Sequence, residues 1–175
     1  ALAPGNHAAK ASLDIALHDL YGKLEGKPLW EIWGIDPEAT PCTSYTIGYD
    51  ANDSIVLVKV READWAKILK VKLGRGEAED KRMITLIRSL SDKPIYVDAN
   101  QGWPTKEHAL MMCQWLAEQG VVMIEQPMPK QMNEEHAWLC ERVDLPILAD
   151  EACQTYDDVE RLAPYYDGIN INKIR

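Results

Sequence analysis

The chain has 175 residues, 46% of them hydrophobic and 27% charged, with a formal net charge of −9. That apolar content excludes an intrinsically disordered chain, and the acidic balance argues against a nucleic-acid surface, which needs a basic patch. No apolar run approaches the roughly 18 residues of a membrane span, VVMI at 121–124 being among the longest, and the opening ALAPGNHAAK holds no signal-peptide apolar core.

Residues 7–24 predict a helix: Ala8, Ala11, Leu13, Ile15, Ala16, Leu17 and Leu20 recur at helical spacing, Asn6 is placed to cap it, and Gly26 and Pro28 end it. Residues 30–44, with Gly34, Pro37 and Pro41, read as a linker. From there a unit repeats. SYTIGY (44–49) predicts a strand and 51–63 a helix. ILKVKL (68–73) predicts the second strand, followed by a helix over 77–90 whose apolar stripe is Ala78, Met83, Ile84, Leu86, Ile87 and Leu90. PIYVD (94–98) is the third strand, and 105–119 a helix with Thr105 as its cap. VVMIE (121–125) and PILAD (146–150) are the next strands, with helices over 133–143 and 155–163, and DGINI (167–171) opens a sixth strand.

The strand ends fall at Gly48, Lys72, Asp98, Glu125, Asp150 and Asn172, at spacings of 24, 26, 27, 25 and 22. Such a period indicates an α/β fold of parallel strands with crossover helices. A doubly wound sheet and a (β/α)8 barrel both satisfy it. A barrel needs eight units and about 250 residues, so as a barrel this would be a partial one, six strands of eight. The sequence also lacks an initiator methionine and is read as starting partway through a longer protein.

The four cysteines, Cys42, Cys113, Cys140 and Cys153, form no C-x-x-C pair and match no zinc spacing; disulfides are not implied, and a reducing cytoplasm fits best. The scattered histidines, His7, His18, His108 and His136, are read as surface or packing residues. Residues 121–160 hold ten acids against Lys130 and Arg142, most of them expected on a solvated face.

Three acids stand apart. Asp98, Glu125 and Asp150 are each the first acid after an apolar strand, in register on successive units. Strand C-termini gather around the ligand site in either architecture, so the three converge, and converging carboxylates need a cation between them. Hard oxygen ligands suit Mg2+. One strand earlier, alternation puts Lys70 and Lys72 on one face and Leu69, Val71 and Leu73 on the other. A lysine pair on an edge strand is often only a guard against aggregation. Here the strand lies inside a run of parallel units, where desolvation and an adjacent metal would lower a lysine pKa toward that of a general base. Lysines facing metal-binding carboxylates suit removal of a proton beside a substrate carboxylate, the cation stabilising the developing enediolate.

On these motifs the sequence resembles the enolase superfamily in its muconate-lactonizing-like branch, and within it most resembles the dipeptide epimerases of the L-Ala-D/L-Glu type. NHAAKASLDIALHDLYGKLEGKPLWEIWG resembles the segment leading from a capping domain into the barrel, and SYTIG, KVK, VDANQGW, IEQP and LADE the successive strand ends. The resemblance implies a partial TIM barrel over 41–175, preceded over 1–40 by the end of a capping region. It implies Asp98, Glu125 and Asp150 as Mg2+ ligands, Lys72 as the base on one face of the substrate α-carbon, Lys70 beside the substrate carboxylate, and Thr46 as a substrate contact. It also implies a dipeptide substrate, with no nucleic-acid or membrane partner; homo-oligomerisation stays open. Muconate cycloisomerases and o-succinylbenzoate synthases share much of the pattern, and a non-catalytic cation-binding barrel fragment is the remaining alternative. The sequence departs from the family on the sixth strand. There the family's second catalytic lysine sits in N-I-K-L, whereas here Asn172 follows Asn170-Ile171 and the lysine is Lys173. A one-residue slip flips a side chain across a strand, so Lys173 serves only if an irregular strand end restores its aim. The final-strand Asp-x-Asp of the epimerases and most of the capping domain lie outside the sequence.

Overall fold

A computed structural model describes residues 5–171. It divides into two compact units, one formed by the chain up to Pro41 and the other by Cys42–Ile171.

The first unit holds α1 (His7–Glu25), α2 (Leu29–Ile32) and a 3-10 turn at Pro37–Ala39. α1 runs one residue beyond the predicted span and ends at Gly26 in the left-handed conformation, φ 65°. Its start differs from the expectation. Asn6 is itself left-handed, φ 53°, and its side chain makes no capping bond. α2 runs into the start of the predicted linker because Pro28, φ −68°, is pre-set to lead into a helical turn. Asp36 accepts from the Glu38 N–H and caps the turn that follows.

The second unit alternates strand and helix throughout: β1 (Ser44–Ile47), α3 (Asp53–Glu62), β2 (Ile68–Lys72), α4 (Glu77–Arg88), β3 (Ile95–Asp98), α5 (Lys106–Glu118), β4 (Val121–Glu125), α6 (Asn133–Cys140), β5 (Ile147–Ala149), α7 (Tyr156–Leu162) and β6 (Gly168–Ile169). The helix starts follow capping chemistry. Asn52 Oδ1 accepts from the Ser54 N–H, Thr105 Oγ1 accepts from the His108 N–H, and Thr155 with Asp158 forms a capping box. Every strand pairs in parallel with the next, in the order β1-β2-β3-β4-β5-β6.

That order decides between the two architectures. A doubly wound sheet reverses its strand order at a switch point. This sheet never reverses. With right-handed crossovers, all its helices lie on one face, which is the winding of a β/α barrel. Alternate strand residues bury toward the helices: Leu69, Val71, Ile95, Val97, Ile124, Ile147 and Ala149 join Val56, Met83, Ile84, Ile87, Met112, Leu116 and Leu139 in one core. Each such Val, Leu, Ile or Met side chain contributes about 1.5–3 kcal/mol by leaving water. Lys70 and Lys72 occupy the opposite face of β2, as alternation requires.

Candidate active site

Parallel register places the site. Lys72 on β2 pairs with Asp98 on β3, and Asp98 with Glu125 on β4, so the three side chains form a row across the sheet. Asp150 stands immediately after β5. Carboxylate oxygens of Asp98, Glu125 and Asp150 all lie within 4.8 Å of one another, and all three residues are buried. The lysines of β2 lean into this cluster. Lys70 Nζ lies 2.6 Å from Glu125 Oε2 and 3.1 Å from Asp98 Oδ2, and it donates to the Tyr96 hydroxyl at 2.9 Å. Lys72 Nζ donates to Asp98 Oδ2. Thr46 pairs with Lys70 across β1 and β2 and therefore shares its face. Lys173 and Asn172 lie outside the described residues.

The electrostatics follow from burial among like charges. Burial holds the Glu125 carboxyl above the ordinary carboxylate range, and the Asp150 charge adds to this, against hydrogen bonds from Lys70 and from Asn170. For Lys70, burial pulls the pKa down, but the Glu125 hydrogen bond and the Asp98 and Glu125 charges outweigh it, so the ammonium lies above the usual lysine value. The expected lowering combines burial with the charge of an adjacent metal; with carboxylates alone as neighbours, the direction at Lys70 is upward.

Residues outside the expected set complete the site. Asn170 Nδ2 donates to Glu125 Oε1 at 2.7 Å, and Asn100 bridges two loops by donating to Glu151 Oε1 at 3.2 Å. Asp80, buried on α4, accepts from the N–H groups of Gly74 and Arg75 and from Trp103 Nε1, fixing the loop that follows Lys72. That loop touches the next one: a Cβ at Gly102 would fall 2.2 Å from the Gly74 Cα. Beside Lys72 a cleft of about 530 Å³ opens, with Gly48, Tyr49, Arg75 and Asn100 among its walls. The donor set, three buried carboxylates with hard oxygens converging at strand C-termini, fits a hard divalent cation.

The enolase C-terminal domain-like family model matches residues 56–171, the segment from α3 to the end of the described chain. The chain belongs to this family. It is 51% identical over 175 residues to an L-Ala-D/L-Glu epimerase of Bacteroides thetaiotaomicron, covering 99% of this chain and 45% of that protein. It is 40% identical to an L-Ala-D/L-amino acid epimerase of Pedosphaera parvula, covering 97% and 49%. Among solved structures, a dipeptide epimerase from Enterococcus faecalis superposes with a TM-score of 0.80 at 30% identity, covering 95% of this chain and 49% of that one. The chain thus spans about half the length of the relatives it matches. Among the described residues, no helix is long and apolar enough to cross a membrane.

Proposed function

We propose that the protein carrying this chain is a Mg2+-dependent dipeptide epimerase that removes and returns the proton beside a substrate carboxylate. The observation that carries this reading is the convergence of Asp98, Glu125 and Asp150 within 4.8 Å, with Lys70 and Lys72 leaning into the same cluster. The likeness to epimerases of L-Ala-D/L-Glu and related dipeptides supports the substrate class. In this reading residues 1–40 are the end of a capping region, 41–175 belong to an enolase-type barrel, and the protein is cytoplasmic.

Asp98, Glu125 and Asp150 would hold Mg2+, which supplies the positive charge that acidifies the α-proton of a carboxylate substrate. Lys72, at the mouth of the cleft, takes that proton. Lys70, which donates to Glu125, balances charge beside the substrate carboxylate, and Thr46 orients the substrate from β1. Inversion needs a second base on the opposite face of the α-carbon. The family's second lysine position holds Asn172 in this sequence, and we assign the role to the adjacent Lys173, which serves if an irregular strand end restores its aim. The decisive measurement is ¹H NMR of L-Ala-L-Glu and L-Ala-D-Glu in D2O with the full-length protein and Mg2+. Loss of the α-proton signal that stops on chelation is expected. Retention of that signal in both isomers by a folded, Mg2+-supplied protein would refute the epimerase reading.

A further inference from the structure

The residue after the Glu125 carboxylate is a glutamine with no surface at all, Gln126. Its φ is 39°, in the left-handed region. For a residue with a Cβ this conformation is strained and persists only where the surroundings over-determine it. They do so here. Its N–H donates to the Leu148 carbonyl at 2.9 Å, and its carbonyl accepts from the Gln101 N–H at 2.8 Å. Its side-chain Oε1 accepts from the N–H groups of Asp150, at 3.0 Å, and Ala152, at 3.1 Å. Its Nε2 donates to the Met128 carbonyl at 3.2 Å and the Tyr166 hydroxyl at 3.1 Å. Two backbone donors on one side and a backbone carbonyl on the other fix which way the amide points.

One residue thus binds the loops after β3, β4 and β5, the loops that follow Asp98, Glu125 and Asp150. The Asp150 N–H ends on this amide. We propose that Gln126 is a positioning residue for the cation site: it sets the backbone of Asp150 against Glu125, so that the three carboxylates meet at one point. This rests on the Mg2+ reading above. Partners that orient metal ligands from behind typically change metal affinity by about 10–100-fold when lost.

The test is Mg2+ binding to the full-length protein by isothermal titration, with no substrate present, for wild type, Gln126→Leu and Tyr166→Phe. Leucine keeps the apolar bulk and removes both acceptor and donor. Phenylalanine keeps the ring and removes one anchor of the amide. Tenfold or weaker binding in Gln126→Leu and about threefold weaker binding in Tyr166→Phe are expected. A folded Gln126→Leu protein with a lower melting temperature but wild-type Mg2+ affinity would make the residue merely structural and overturn the proposal. Should Gln126→Leu fail to fold, Tyr166→Phe decides: weakened binding supports the proposal, and unchanged affinity overturns it. Wild-type protein that takes up no Mg2+ would instead refute the metal reading itself.

Discussion

Lys70 and Glu125 sit on strands that are not neighbours, β2 and β4, yet the Nζ of one lies 2.6 Å from Oε2 of the other. The contact passes over β3, whose Asp98 lies 3.1 Å from the same ammonium. One half-buried cation thus lies between two buried anions, with Lys72 also paired to Asp98. Removing one partner of such a group leaves charge uncompensated, at a cost of about 3–5 kcal/mol. Lys70→Met is therefore expected to lower the melting temperature of the metal-free protein and to enlarge the rise in melting temperature on adding Mg2+. Proton exchange should still fall at least about 100-fold, since the site loses its charge balance beside the substrate. Thermal shift with and without Mg2+ checks the first two expectations. An equal Mg2+ response in variant and wild type would refute the account.

Lys72 differs from Lys70 in exposure, its side chain being 35% accessible against 13%. It reaches the cleft while Lys70 is enclosed, so the two substitutions should separate. Lys72→Ala is expected to reduce α-proton exchange by about 10²–10⁴-fold with Mg2+ affinity and melting temperature near wild type. Lys173→Ala should leave exchange of one stereoisomer and remove net inversion. Isomer-resolved exchange in D2O reads both.

Much of the architecture was legible because strands buried on both faces read as continuous apolar runs, and the period of their ends placed six of them. Asp98, Glu125 and Asp150 could be picked out because each follows its run directly. Gln126 could not. Its partners Asp150 and Tyr166 lie 24 and 40 positions away, and a polar residue after a strand is ordinary until its burial is known. Asn170, bonded to Glu125 from 45 positions away, is the same case. Asn6 stands at the N-cap position of α1 but makes no side-chain capping bond, because a cap is a backbone conformation as well as a residue type. The upward shift at Lys70 depends on how closely the carboxylates approach, which spacing along the chain does not give.

The loops after β2 and β3 touch through backbone. Gly74 has φ 86°, and a Cβ there would lie 2.0 Å from the Ala99 carbonyl oxygen. Both the dihedral and the contact forbid a side chain, and the obstructing atoms are backbone that cannot swing aside. Gly74→Ala is expected to destabilise by at least about 2 kcal/mol and to displace Lys72 with its strand end. Urea unfolding measures the first and loss of exchange activity the second. Wild-type stability in this variant would mean that the two loops are not in contact.

The buried imidazole of His136 gives a pH dependence with a definite sign. Its Nδ1 lies 2.6 Å from the Met132 carbonyl, so that nitrogen carries the proton, and Nε2 accepts from the Met128 N–H at 3.4 Å. Burial pushes its pKa down to about 4 from 6.5, against the Met132 carbonyl and the Glu135 charge, which raise it. As pH falls, the unfolded chain takes up this proton first. The stability contributed by the neutral ring is therefore complete above pH 6.5, is lost progressively between 6.5 and about 4, and falls no further below that. The interval corresponds to about 3 kcal/mol. Protonation would remove the Nε2 acceptor and turn a donor toward both Gln126 Nε2 and the Met128 N–H, which is why the folded state resists it. His136→Gln, neutral at every pH, is expected to unfold with a flatter pH dependence across this interval than wild type. Denaturant melts at pH 7.0, 5.5 and 4.5 for both proteins supply the comparison, with carboxylate titrations common to the two cancelling in the difference. Identical slopes would show that His136 is not held neutral in the fold.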